Sequence, residues 1–103
     1  QHATEAAPEV ALGWYNLGLM QRRRGDIAAA LNAYGRALEL DPNHAECHQN
    51  HAVARLLGGD IETARSSFRR AIDLLHGQGR VEEALALQRQ AQAFVKLDAE
   101  TAA

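Results

Sequence analysis

Cysteine is almost missing from this chain of 103 residues. Cys47 stands alone, so no internal disulfide can form and the redox compartment stays undetermined. Proline occurs twice, at Pro8 and Pro42, and aromatic residues five times. That scarcity fits an all-helical core of small and aliphatic side chains. Net charge is nearly absent as well. Lysine and arginine number 11 against 13 acids, and the balance of -2 gives no basis for bulk attraction to nucleic acid or a membrane surface. No apolar run approaches the ~20 residues of a membrane span. No secretory signal is visible, and the start at Gln1 without Met suggests an excised or processed segment. A Gly-rich phosphate loop, a nucleophile elbow and a zincin spacing are all missing. Ser66 and Ser67 have no paired base in view. The expectation is a non-catalytic chain with no cofactor.

Alanine is plentiful, at 21 residues, and favours helix. A composition of 47% hydrophobic and 23% charged residues is that of one globular domain. The stretch GDIAAALNAYGRALEL, residues 25–40, returns 34 residues later as GDIETARSSFRRAIDL, residues 59–74. Gly25 pairs with Gly59, Asp26 with Asp60, Ile27 with Ile61, Ala30 with Ala64, Tyr34 with Phe68 and Ala37 with Ala71. Pro8 and Pro42 obey the same spacing. A fixed period of this length marks stacked repeats, which make a surface more often than a reaction centre.

Five helices are expected, over 9–24, 27–40, 44–57, 61–75 and 80–97. Residues 1–7 read as a linker or frayed end, and Pro8 suits the first turn of a helix. Val10, Trp14, Leu17 and Gly18 recur at helical spacing, and Gly18 lets a neighbouring helix approach. Gly25 caps the first helix in a left-handed turn and Asp26 N-caps the second. Gly59 and Asp60 repeat the device. The second helix buries Ile27, Ala30, Leu31, Tyr34, Ala37 and Leu38. HGQG at 76–79 breaks the fourth helix. The apolar set of the fifth is Val81, Ala84, Leu85, Ala91, Phe94 and Val95.

Trp14, Leu17, Gly18, Ala30, Tyr34, Ala37 and Pro42 have the spacings of a tetratricopeptide repeat, which residues 11–44 resemble. Gln21 departs from the pattern, where the family prefers an aromatic. A second repeat over 45–78 keeps Ala52, Ala64, Phe68 and Ala71. It departs at His48, His51, Arg55 and His76, where the family prefers Trp, Leu, an aromatic and Pro. Leu85 and Ala86 fall on the positions of a third repeat that has no second helix, so residues 80–97 resemble a capping helix. The resemblance implies an all-α, right-handed α-solenoid of antiparallel helix pairs. The domain spans 8–97 and residues 98–103 form a tail.

The resemblance also implies a function: binding a peptide or helix of a protein partner in a concave groove lined by the first helix of each repeat. By position, that groove holds Leu12, Tyr15, Asn16, Leu19, Arg22, Arg23, Glu46, Gln49, Asn50, Val53 and Leu56. Leu57 extends it, and Arg80, Glu83, Leu87 and Gln90 of the cap complete it. Asn16 and Asn50 lie 34 apart and resemble the asparagine ladder of the repeats attached to O-linked N-acetylglucosamine transferases. A carboxamide both donates and accepts, so two in register can grip an extended backbone. The carboxylate clamp of chaperone-tail binders is not matched, because Tyr15 and Leu19 replace its Lys and Asn. Two hairpins and a cap are close to the minimum of ~3 repeats. Self-association through stacked repeats is therefore one alternative, and a substrate-selecting segment of a larger enzyme is another. The cytoplasm is the favoured compartment.

His44, Cys47, His48 and His51 share one helix face at i, i+3, i+4 and i+7. Such a face can hold part of a zinc, copper or nickel shell. The spacing matches no established zinc signature, and one helix face seldom completes four ligands. No metal is expected, and these four residues are the candidates if there is one. The bland reading is packed aromatic rings with one nitrogen bonded.

Overall fold

The computed structural model describes residues 2–94, with side chains from residue 9 onward. Five helices follow in order: α1 (His2–Arg23), α2 (Ile27–Leu40), α3 (Ala45–Leu57), α4 (Ile61–Gly77) and α5 (Val81–Gln92). No strand occurs among the described residues. Each helix packs chiefly on its neighbours in sequence, and α1 also touches α3. Short links between amphipathic helices require this arrangement.

Both copies of the GDI stretch open a second helix. Gly25 and Gly59 take φ of 87° and 89°, a left-handed backbone that glycine adopts without strain. The next amide reaches back over the turn: Asp26 N–H donates to the Gln21 carbonyl at 2.9 Å, and Asp60 N–H to that of Arg55 at 2.8 Å. Each aspartate then caps the helix it starts. Asp26 accepts from Ala29 N–H at 3.3 Å and Asp60 from Thr63 N–H at 3.2 Å.

The joint between α2 and α3 is different. Pro42 cannot continue a helix, and α2 stops after 14 residues. His76 takes the equivalent place in α4, and that helix runs for 17 residues. It then ends in the glycine turn a third time. Gly79 has φ of 77°, and Arg80 N–H donates to the Leu75 carbonyl at 2.8 Å.

This third glycine turn corrects the expected phase of α5. Ala84, Leu87 and Ala91 are its buried residues. Counted from Gly79, they match Ala64, Ser67 and Ala71 counted from Gly59, all buried in α4. A helix entered through the same turn presents the same face inward. Leu85, Val81 and Phe94 were expected inside, yet all three are exposed. Val95, the tail and the end of the expected 80–97 helix lie outside the described residues. At the other end α1 starts at His2, so residues 2–7 are helical instead of a linker, and Pro8 lies inside the helix. The alanines at 3, 6 and 7 favour that extension.

Two connected cores result. The first gathers Ala30, Tyr34, Ala37, Cys47 and Ala54, with Trp14, Tyr15, Leu19, Ile27, Leu31 and Leu38 packed against them. The second centres on Phe68, Ile72, Leu75 and Leu87 with alanines from α3, α4 and α5. Alanine dominates both because helix axes that approach closely leave room for little more than a methyl group. The tightest approach is at Gly18. A Cβ there would sit 2.6 and 2.7 Å from two ring carbons of Tyr34.

Gly18→Ala is therefore expected to destabilise the fold by about 1–3 kcal/mol through overpacking. Gly35→Ala, at a helical position with nothing within 4 Å of the added carbon, is expected to stabilise it by about 0.5–1 kcal/mol. Urea unfolding followed by circular dichroism checks both signs.

Candidate groove along the inner helices

The groove was expected along α1, α3 and α5. Leu12, Glu46 and Arg80 are spaced by 34 in the sequence, as are Tyr15, Gln49 and Glu83. Arg80 donates to Glu46 across the gap between helices and to Glu83 within its own helix at 2.6 Å. It has no side-chain capping bond to its own helix, unlike Asp26 and Asp60 at the equivalent turns. The guanidinium ties α5 to α3 instead. Its hydrogen bond holds the Glu46 carboxyl below the ordinary carboxylate value, against the opposing effect of partial burial. Around this pair lies a cleft of about 200 Å3. Glu46 and Gln49 of α3 form one wall; Arg80, Glu83, Leu87 and Gln90 of α5 form the other; Leu75 and Ala86 contribute as well.

A second polar cluster joins α1 to α3. Asn50 Nδ2 donates to the Tyr15 hydroxyl and to the Glu46 carbonyl, both at 2.9 Å. Asn50 Oδ1 accepts from the Arg22 guanidinium at 3.3 Å. Both carboxamide protons and the oxygen are thus in use. Tyr15 is half-buried, its ring 4.8 Å from His44 and 6.0 Å from Tyr34. Burial raises its hydroxyl pKa above the ordinary value.

The expected groove residues therefore divide. Leu12, Asn16 and Arg23 are exposed on α1. Gln49 and Glu46 border the cleft. Leu19 packs on the first core, and Val53 and Leu56 pack on the second. Leu57 is exposed, and Leu87 is buried while lining the cleft. Asn16 makes no hydrogen bond to the described residues, whereas Asn50 is saturated. The two carboxamides are equivalent in sequence and unlike in surroundings. The Arg80–Glu46 pair was missed in the sequence, although opposite charges 34 apart in a 34-residue repeat are a readable sign.

The four residues of the histidine face are individually engaged. His44 is the N-cap of α3, and its Nδ1 accepts from Cys47 N–H at 3.0 Å. Cys47 is buried and donates to the Tyr34 carbonyl at 3.7 Å; burial pushes its thiol up to about 12. His48 Nε2 bonds to the Pro42 carbonyl at 2.9 Å. His51 lies edge-on to Tyr34 at 6.3 Å, and burial pushes its imidazole down to about 4. Among the described residues no three His, Cys, Asp or Glu side chains group to hold a metal ion. No described helix is long and apolar enough to cross a membrane.

A family model described as "Tetratricopeptide repeat" matches residues 11–44. Human tetratricopeptide repeat protein 36 is 38% identical over 72 residues, covering 70% of this chain and 38% of that protein. Protein FlbA of Caulobacter vibrioides is 37% identical over 62 residues, 60% of this chain and 10% of its own length. Photosystem I assembly protein Ycf3 of Parasynechococcus marenigrum is 35% identical over 71 residues, 66% of this chain and 41% of that protein. The chain thus spans less than half the length of each of these relatives.

Two outcomes follow from the side-chain environments. Asn50→Ala is expected to destabilise the domain by about 1–2 kcal/mol, leaving the half-buried Tyr15 hydroxyl and Arg22 guanidinium without this partner. Asn16→Ala is expected to change stability by no more than about 0.5 kcal/mol. Thermal and urea unfolding distinguish them. His51 is neutral when folded and has an ordinary value of 6.5 when unfolded. The unfolded chain therefore binds the extra proton. Stability is complete above pH 6.5 and falls as pH drops towards 4. The urea midpoint is expected to be lower at pH 5 than at pH 7, and His51→Leu to narrow that difference. His48, whose pKa is also lowered by burial, keeps part of it.

Proposed function

Residues 11–44 are a tetratricopeptide repeat, and from that premise we propose that this chain is a non-catalytic protein-interaction module that binds a peptide or helix of a partner along the inner faces of α1, α3 and α5. One observation carries the reading. Asn16 and Arg23 are exposed on α1, and a cleft opens between α3 and α5. Asn16 offers its carboxamide to a peptide backbone. Arg23 offers charge to an acidic side chain. Leu12 and the Leu87 wall of the cleft offer apolar contact. Tyr15, Arg22 and Asn50 act as the support that fixes α1 against α3. In this reading the asparagine ladder has one open rung, Asn16, because the Asn50 carboxamide is taken up by Tyr15, Arg22 and the Glu46 carbonyl. An extended or helical segment with apolar anchors and an acidic residue suits this surface.

The test is a selection of random 12-residue peptides displayed on phage against the immobilised chain, followed by fluorescence anisotropy. Asn16→Ala combined with Arg23→Ala is expected to raise the Kd of selected peptides at least about tenfold, with circular dichroism unchanged. Ser66→Arg, an exposed position on α4, is expected to leave Kd unaltered. Peptides that bind the double variant as tightly as the original chain would overturn the reading, and so would a selection that enriches none.

A further inference from the structure

Two apolar surfaces lie outside the groove, one on the first and one on the last described helix. On α1, Val10, Gly13, Trp14 and Leu17 line a shallow depression of about 360 Å3. Val10 is 48% exposed and Leu17 39%. On α5, Val81 and Leu85 lie one turn apart and are 47% and 43% exposed. No described helix covers either surface.

The chain holds its own template for what fits them. The residues 34 on from the α1 depression are His44, Cys47, His48 and His51, and this face of α3 meets α2. Cys47 is bonded to the Tyr34 carbonyl, and His51 stands edge-on to the Tyr34 ring. On the α2 side, Ile27 reaches the far end of α3, 3.7 Å from where a Cβ of Gly58 would sit. Ile27 and Leu31 come two and six residues after Gly25. Val81 and Leu85 come two and six residues after Gly79, which forms the same left-handed turn with the same backbone bonds. Helix α5 therefore repeats the spacing of Ile27 and Leu31, which pack on the core that α2 and α3 form together. The end helix α1 carries the face with which α3 meets α2.

We propose that these ends join between copies: α5 of one chain packs on α1 of a second, as α2 packs on α3, and continues the helix stack head to tail. The contact uses no groove residue, so it goes beyond the peptide-binding reading and leaves that surface open. It is heterologous, with two different patches meeting, so it does not close at two chains and grows with concentration. Gln88 stands where α2 has Tyr34 by the same count, so the joint between chains is weaker than the joint within one.

Sedimentation velocity of the full 103-residue chain tests this from about 10 μM to about 1 mM, the range suited to contacts below the standard interface size. The weight-average mass is expected to rise past that of a dimer. Leu17→Glu and Leu85→Glu each remove one end, so each variant alone is expected to stay monomeric. Mixed in equal amounts, they are expected to form a dimer that grows no further, because one intact α5 meets one intact α1. Val10→Glu and Val81→Glu provide a second pair if circular dichroism shows that the first pair does not fold. A wild-type chain that is monomeric throughout overturns the proposal, whether a different helix covers these faces or nothing does. A Leu85→Glu variant that still dimerises overturns it too, since that is the mark of α1 pairing with α1. Loss of assembly in Asn16→Ala would also overturn it by placing the contact in the groove.

Discussion

The close approach of the Tyr34 ring to the backbone at Gly18 sets the geometry on which everything else depends. It fixes how closely α1 and α2 approach, because a single carbon added at Gly18 would overlap the ring. The same ring meets His51 of α3 edge-on, and the Tyr34 carbonyl accepts from the Cys47 thiol beside it. One side chain, fully buried, thus sets the spacing inside the first hairpin and the spacing to the next. Phe68 takes the equivalent place in the second core. Between these two aromatics the stack needs little more than alanine, which explains how a chain with five aromatic residues packs at all.

Stacking of this kind needs two sorts of joint, and the chain uses glycine for one and proline for the other. The glycine turn reverses the chain within a hairpin, and the following aspartate caps the next helix. The proline joint stops α2 and passes the chain to α3. Where proline is replaced by His76, the helix runs on and the glycine turn takes over. That one replacement alters the end of the array. It lengthens α4, and it leads into α5 through the turn that normally precedes a second helix. Arg80 then occupies a capping position it cannot fill and reaches to Glu46 instead. The same event thus shapes the packing of α5, the ion pair that ties it to α3, and the cleft beside that pair.

The inner surface shows how a repeat loses its symmetry. Equivalent positions begin as copies, and contacts between the copies then separate them. Asn16 faces outward, while Asn50 meets Tyr15 and Arg22 of the preceding helix. The first repeat has no counterpart of that neighbour among the described residues. The surroundings each carboxamide meets among the described residues, rather than residue type, separate the two.

Much of this was legible in the sequence. The 34-residue period shows as repetition, and the left-handed glycines at 25 and 59, the aspartate caps, the small residue at Gly18 and the spacing of Ala30, Tyr34 and Ala37 show over one or two helical turns. Interactions of that range are written in local residue order, so the sequence by itself determined five helices, their hairpin pairing and their stacking order. It did not determine which inner-face side chains bind one another. Asn50 and Tyr15 are 35 residues apart, and whether they touch depends on how far apart α1 and α3 settle. Nor did it determine the facing of α5, where counting by 34 exposed the wrong residues because a glycine turn had replaced the proline joint. Only the tertiary structure decided those points, since a hydrogen bond or a buried face is gained or lost over an ångström of helix position that no local pattern records.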